Sequence, residues 1–293
     1  MTGTVARPFD PAAVVRHRAR AVPTLAAHGF LLDEVAARLA DRLDDLRRTF
    51  PLGLDLGARG GALARALDRR PSVAALVHAD RNAAALAGLP RAVVVDPEAL
   101  PFAGLDLVAS VLELHWTNDL PGALVQIRRA LRPDGLLLAA IFGGETLAEL
   151  REAWMAAEIE VEGGASPRVS PFVDVRDAGA LLQRAGFALP VVDADRITAT
   201  YPDALALMRE LRGMGEANAV AERRRGFTRR ATLFRAAAIY AERFAGADGR
   251  IPATFEVLTL TAWAPHASQQ KPLRPGSAAA RLADALGGEE TKL

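Results

Sequence analysis

Short apolar runs alternate with segments of helical spacing through the middle of this chain. The apolar runs lie within 50–56, 73–80, 92–96, 105–116 and 135–146. Most of them contain four to eight apolar or β-branched residues bounded by glycine, proline or aspartate, which is typical of buried strands. Strands that alternate with helices in this way form a parallel sheet covered by helices on both faces. The pattern therefore predicts an α/β fold.

Helical patterns extend this core at both ends. Residues 11–48 predict helices that break at Pro23 and Gly29. After the fifth strand the pattern predicts helices over 146–163, 175–187, 202–215 and 231–245, and strands over 190–201 and 253–265. The segment 119–135 is predicted to be a helix that ends at Gly135. We expect a helical extension over 1–48, one domain over 49–265 and a loosely packed tail over 266–293.

Composition narrows the possible partners. The 293 residues include 36 basic and 35 acidic side chains, so no overall field attracts nucleic acid. The absence of cysteine excludes disulfides and thiolate chemistry. No apolar run approaches the ~20 residues of a membrane span. We expect a soluble, cytoplasmic protein without a nucleic-acid partner, and peripheral contact with the inner membrane stays open.

The stretch FPLGLDLGARGGALARAL, residues 50–67, organises the predicted sheet. It is an apolar strand, a turn with Gly57, Gly60 and Gly61, and an alanine-rich helix. Such a turn exposes backbone N–H groups to a ligand at a helix N-terminus. Asp55 places a carboxylate near the end of the strand, where ligands bind in open α/β sheets. The alternative is a turn that only lets the helix pack closely on the strand.

Two further acids follow the next two strands. Asp80 lies 23 residues after Gly57, where a carboxylate accepts hydrogen bonds from both hydroxyls of a ribose in nucleoside-binding folds. The alternative role for Asp80 is to cap the next helix. Asp96 ends the third strand. His78 and Asp80 also match the first part of an iron site, but we expect no metal because the ribose already accounts for Asp80.

Two loops at the same sheet edge carry side chains suited to chemistry. The segment LHWTND offers His115 as a general base and Trp116 for stacking on a substrate. The alternative is that Trp116 packs on the next helix, and we expect Asp119 to cap that helix. In FGGETLAELR, Glu145 is placed to pair with a cationic substrate such as arginine or, alternatively, to favour a helix N-terminus.

One dense basic run, ERRRGFTRR, spans 222–230. It has the composition of a surface for anionic lipid, RNA or an acidic protein. A solvated loop between two helices is the expected interpretation.

The stretch LDLGARGG resembles motif I of class I S-adenosylmethionine-dependent methyltransferases, written LDxGxGxG, and Arg59 departs from it. The resemblance implies a Rossmann-like, mostly parallel seven-stranded sheet, with the last strand antiparallel between the fifth and sixth and helical additions after strands 5 and 6. It also implies S-adenosylmethionine as cofactor. The methionine end would lie over Gly57 and Gly61, the ribose on Asp80 and the adenine near Asp96.

A closer resemblance covers nearly the whole chain. The order LHWTNDLPGALVQIRRALRPDG, FGGETLAELR, SPFVDVRDAGALLQRAGF, GMGEANA and SQQKPLRPGSA is similar to the methyltransferase-like assembly factors of respiratory complex I and their bacterial relatives. That family implies a protein substrate, an arginine of a quinone-site subunit of complex I, and hydroxylation of that arginine. Glu145 would then pair with the guanidinium.

Several functions stay open at this point. The fold is shared with small-molecule and carrier-protein methyltransferases, of which malonyl-carrier-protein methyltransferase is the nearest alternative. A non-catalytic assembly chaperone is the third. Methylation and hydroxylation of the arginine are both open, because a sulfonium cofactor indicates methyl transfer whereas hydroxylation needs an oxidant. Whether Arg59 impairs cofactor binding is open too.

Overall fold

A computed structural model describes residues 7–270, and within them one sheet of seven strands runs in the order β3-β2-β1-β4-β5-β7-β6. The strands are β1 Gly53–Leu56, β2 Leu76–Asp80, β3 Ala92–Val94, β4 Leu105–Val111, β5 Leu131–Phe142, β6 Ala188–Tyr201 and β7 Ile251–Trp263. Strands β1 to β5 are mutually parallel, and β7 lies antiparallel between β5 and β6. The predicted Rossmann-like fold class and the inserted last strand are confirmed.

Helices cover the sheet at the places that the pattern predicts. They are α1 Pro11–Ala21, α2 Leu25–His28, α3 Phe30–Asp45, α4 Ala62–Ala66, α5 Leu120–Ala130, α6 Ala148–Glu162, α7 Val175–Arg184, α8 Ala204–Met214 and α9 Arg230–Phe244. Aspartates cap several of their N-termini. Asp119 accepts a hydrogen bond from the backbone N–H of Gly122 at 2.9 Å, so its predicted capping role is confirmed.

Both faces of the sheet are buried, which explains the continuous apolar strands. Along β5, Leu136 and Leu138 pack with α3, α6 and α8 in one core, whereas Leu137 and Ala139 pack with α5 and α7 in the other. Successive side chains of a strand point to opposite faces, so a strand covered on both sides is apolar at every position. Helix α3 shares the first core with the sheet. The division at 48 and 265 stays a prediction, and residues 271–293 of the expected tail lie outside the described part.

One predicted boundary is wrong. The helix expected to continue to Gly135 ends at Ala130, and β5 begins at once with Leu131, which pairs with Leu105 of β4. Pro133 is the physical reason. Its ring disfavours helical backbone at Arg132 and removes the N–H that would continue the helix.

In the part of the chain from 7 to 270, no helix is both long and apolar enough to cross a membrane.

Candidate functional site

The turn after β1 has the backbone conformation that glycine favours. Gly57, Gly60 and Gly61 have φ of 85°, 70° and 81°, and Arg59 also has a positive φ of 46°. We call residues 57–61 the glycine turn. Helix α4 begins directly after Gly61, at the carboxyl end of β1. The turn therefore lies where open α/β sheets bind ligands.

Asp80, at the end of β2, is directed at this turn. Its Oδ2 accepts a hydrogen bond from the backbone N–H of Arg59 at 3.1 Å, and its Oδ1 accepts one from Asn82 at 2.8 Å. Asn82, rather than Asp80, caps the following short helix. Asp96 is more than half exposed and lies 3.2 Å from the Nη2 of Arg81. Asp80 therefore contacts the turn, whereas Asp96 contacts Arg81, and their roles toward ribose and adenine stay predictions.

Asp55 lies beneath the glycine turn and has no exposed surface. Its Oδ2 lies 3.0 Å from the Nδ1 of His78, its register partner on β2. Burial raises the pKa of the Asp55 carboxyl, and the hydrogen bond with His78 opposes that rise. Asp55 thus fixes the end of β1 through His78, and its predicted cofactor contact stays a prediction.

The H-x-D pattern does not converge on a metal. His78 is engaged with Asp55 and Asp80 with the glycine turn. Among residues 7–270, no group of three or more histidine, cysteine, aspartate or glutamate side chains is placed to hold an ion.

A buried charged cluster lies beside the turn, at the ends of β1, β2 and β4. Its members are Arg18, Arg59, Arg81, Glu113 and Glu216. Glu113 contacts Arg18 and its side chain lies against Gly57. Burial lowers the pKa of Arg18 to about 9. Sequence reasoning missed Arg18, Glu113 and Glu216, because nothing in the local pattern distinguishes them from surface charges.

Glu216 connects the cluster to the LHWTND loop. Its Oε2 accepts a hydrogen bond from the Nε1 of Trp116 at 2.7 Å and lies 3.2 Å from the Nε2 of His115. Its Oε1 lies 2.7 Å from a guanidinium nitrogen of Arg59. Burial raises the pKa of Glu216, but the charge of Arg59 and the bond to His115 outweigh it, so the pKa lies well below its usual range. Glu216 is therefore a carboxylate at neutral pH.

His115 is buried among aromatic rings. The ring centroids of Phe142, Phe172 and Trp116 lie 4.7, 5.4 and 5.5 Å from that of its imidazole. Burial lowers the pKa of His115 to about 4, although Glu216 opposes the shift. The imidazole is therefore neutral near pH 7. If its Nε2 donates to Glu216, its Nδ1 is left as a buried acceptor without a hydrogen bond.

A cavity of about 360 Å³ opens beside this group. We call it the aromatic cavity, because its lining includes Trp116, Phe142, Trp154, Phe172 and Phe255. Glu216 also lines it, together with Thr146 and Leu147 of the FGGET loop. The structure thus brings together the LHWTND, FGGET, SPFVDV and GMGEANA segments, which are far apart in sequence.

The candidate catalytic residues do not all reach this cavity. Trp116 lines it and His115 lies behind Trp116 and Phe142. The side chain of Glu145 is exposed and absent from the lining, and its backbone N–H donates to the Oε2 of Glu256 at 3.0 Å. The catalytic roles of His115, Trp116 and Glu145 stay predictions.

The residues around the glycine turn fit a polar nucleoside cofactor. Three buried atoms there make no hydrogen bond within residues 7–270: the Nε of Arg18, the Nε of Arg81 and the Oε1 of Glu113. Buried polar groups are costly when they are left unpaired. S-adenosylmethionine carries an ammonium and a carboxylate, which match these anions and cations in charge, and ribose hydroxyls, which can hydrogen-bond with them.

A parallel sheet with one antiparallel strand before its edge, a glycine turn after β1 and an acid after β2 together define the class I methyltransferase fold. A family model described as a methyltransferase domain matches residues 54–139. The YcgJ protein from Bacillus subtilis has the same fold, with a TM-score of 0.53, 15% identity, and coverage of 78% of this chain and 98% of that one.

Two relatives that match most of the chain indicate a more specific family. The mitochondrial arginine-hydroxylase NDUFAF5 of Danio rerio is 44% identical over 265 residues, which are 88% of this chain and 82% of that protein. The malonyl-[acyl-carrier protein] O-methyltransferase of Xylella fastidiosa (strain M23) is 37% identical over 269 residues, with 88% and 89% covered. The chain belongs to the NDUFAF5 family of methyltransferase-fold enzymes, and the predicted family and its S-adenosylmethionine-dependent class are confirmed.

Proposed function

We propose that this protein binds S-adenosylmethionine at the glycine turn and modifies an arginine side chain of a respiratory complex I subunit. One observation carries the proposal: a buried carboxylate, Glu216, lies in the wall of an aromatic cavity and is joined by Arg59 to the glycine turn. A guanidinium stacks on aromatic rings and pairs with carboxylates, so this cavity suits it.

Residues on one side of Arg59 would bind the cofactor, and residues on the other side would bind the substrate. When bound, the cofactor supplies an activated methyl group on a sulfonium. Asp80 would hold its ribose, Asp96 its adenine, and Glu113 its ammonium group. On the substrate side, the rings of Trp116 and Phe172 exclude water, and neutral His115 lies behind Trp116 and faces the Glu216 carboxylate, so its proposed role as a proton acceptor would act through Glu216. Glu145 remains a proposed contact at the protein substrate's surface.

A second function is favoured by the basic residues of the aromatic cavity. Arg168, Arg212, Arg223 and Arg224 line it. Three of them are neutralised by ion pairs with Glu158, Asp10 and Glu162. Arg212 is exposed and has no acidic partner within 4 Å among residues 7–270, so it would suit an anionic group. A carrier-protein methyltransferase is therefore the alternative.

Deleting the gene in a bacterium that has complex I, and weighing tryptic peptides of the assembled complex, tests the proposal. We expect one arginine peptide to become lighter by one oxygen if the reaction is hydroxylation, or by one methylene if it is methylation. Complementation with wild type should restore the mass. If the protein is also a chaperone, complementation with Asp80→Ala should restore assembly of the complex but not the mass of the modified arginine peptide. Unchanged peptides and normal assembly would refute the proposal and favour the carrier-protein reaction.

We also propose peripheral contact with an anionic membrane through the loop before α9. Phe227 is fully exposed there. Arg223 and Arg224 are ion-paired, whereas Arg225 and Arg229 have no acid within 4 Å in the described chain. An exposed aromatic ring among unpaired arginines is complementary to an anionic lipid surface.

Replacing Phe227 with serine should weaken binding to phosphatidylglycerol vesicles by about 1.5–3 kcal/mol, because one buried aromatic side chain is lost. Co-sedimentation with anionic and with neutral vesicles measures it. Val94→Ser is the matched control, since Val94 is 57% exposed on the edge strand β3, which is not part of this loop. Equal sedimentation of wild type and Phe227→Ser would exclude this surface.

A further inference from the structure

Arg59 stands in the glycine turn at a position with left-handed backbone. Its φ of 46° is one that a residue with a Cβ adopts at a cost of roughly 1–2 kcal/mol. The methyltransferase motif that this turn resembles has glycine at this position, and glycine would avoid that cost. A compensating interaction of the side chain is therefore expected.

The guanidinium of Arg59 supplies that interaction. It is almost completely buried, and it donates hydrogen bonds to the carbonyl oxygens of Leu112 at 2.9 Å and Met214 at 2.7 Å. It also lies 2.7 Å from Glu216. A side chain from the glycine turn thus joins the end of β4 to the end of α8.

Glu216 depends on Arg59 for its counter-charge. The only other cation at Glu216 within 4 Å in the described chain, histidine aside, is Arg18, whose nearest nitrogen is 3.7 Å away. The other carboxylate oxygen accepts from Trp116 and faces His115. Removing Arg59 would leave a buried carboxylate with a weakly placed partner, and its geometry in the cavity wall would relax.

The backbone of the same residue faces the proposed cofactor side, because its N–H donates to Asp80. We propose that Arg59 is a positioning residue that fixes Glu216 in the wall of the aromatic cavity and ties the geometry of that cavity to the glycine turn. The tie to the cofactor rests on the proposed function, whereas the tie to Glu216 rests on contacts alone.

Three variants test this role. Arg59→Gly restores the glycine of the turn and keeps the N–H that Asp80 accepts. Arg59→Gln keeps most of the side-chain volume without the charge, and serves if the glycine variant does not fold. Arg59→Lys restores a cation. Arg65→Ala is the matched control, because Arg65 donates to Gly60 of the same turn but is exposed and pairs with Asp33.

The readout that does not need activity is the titration of His115 by NMR, with its ring signals assigned among the five histidines by His115→Gln. The charged groups that face His115 are Glu216, Arg18 and Arg59. Burial, the main cause of the low pKa of His115, stays in these variants, so loss of the Arg59 cation should raise that pKa only slightly above about 4 in Arg59→Gly and Arg59→Gln. It should stay near 4 in Arg59→Lys and Arg65→Ala.

Binding and turnover give the second readout. Affinity for S-adenosylhomocysteine should be little changed in Arg59→Gly, while turnover of the arginine substrate falls about 100-fold and Arg59→Lys recovers part of it, as expected for a misplaced cavity wall. An unchanged titration of His115 together with full turnover in both neutral variants would overturn the inference. If wild type binds no S-adenosylhomocysteine but His115 still responds, the proposed function fails and the link between Arg59 and Glu216 stands.

Discussion

Glu216→Gln is expected to lower the free energy of unfolding by about 3–5 kcal/mol, because it leaves the buried guanidinium of Arg59 without its carboxylate. Arg59 and Arg18 face this one side chain, which is 5% exposed. Glutamine keeps the shape, so the loss comes from charge and not from a cavity. The glutamine amide has two orientations, and its NH2 group would face the N–H donors of Arg59 in one and the N–H donor of Trp116 in the other. We expect turnover to be lost together with stability, and urea denaturation measures the loss of stability.

The matched control lies on the helix that leads to Glu216. Glu210→Gln in α8 removes a carboxylate whose Oε2 lies 2.6 Å from the Nδ1 of His28 in a partly exposed pair. Exposed pairs are worth about 0–1 kcal/mol, so this variant should unfold nearly as wild type does. A loss at Glu216 no larger than the loss at Glu210 would contradict the central role given to the buried carboxylate.

Gly57→Ala is expected to destabilise the fold by about 2–5 kcal/mol, from left-handed strain and overpacking together. At φ of 85° a Cβ on residue 57 would be strained, and it would overlap the Cβ and Cγ of Glu113. The Cβ of Glu113 is fixed to the backbone after β4, so the strand end itself would have to move. Thermal unfolding measures the loss, and calorimetry with S-adenosylhomocysteine should show no binding.

Gly88→Ala separates the two contributions. Gly88 has a φ of 78°, and a Cβ there would meet no atom within 4 Å. This variant should therefore show the backbone strain alone, about 1–2 kcal/mol. Equal losses at Gly57 and Gly88 would mean that the contact with Glu113 contributes nothing, and the close approach at the turn would then not constrain this site.

The apolar pattern was sufficient to predict the sheet. Burial on both faces requires apolar residues at every strand position, and this leaves runs such as 135–142 that stand out in the sequence. The glycine turn could also be predicted from the sequence, since positive φ at Gly57 and Gly61 favours glycine at those positions. Asp80 and Asp96 were placed by counting strand ends. The end of α5 was missed because a proline two residues into a strand looks like part of a helix-terminating turn.

The aromatic cavity depended on contacts that no local pattern encodes. Arg18 precedes the first strand and Glu216 follows the sixth, yet both lie in one charged cluster with Arg59, because α1 and α8 pack against each other. Glu145 was chosen for its charge and its strand end, but the chain turns there and leaves its side chain exposed. Sequence thus determined the fold and the turn, where constraints act on neighbouring residues. The tertiary structure alone decided which charges are buried together, because their pairing energy depends on distances between segments up to about two hundred residues apart.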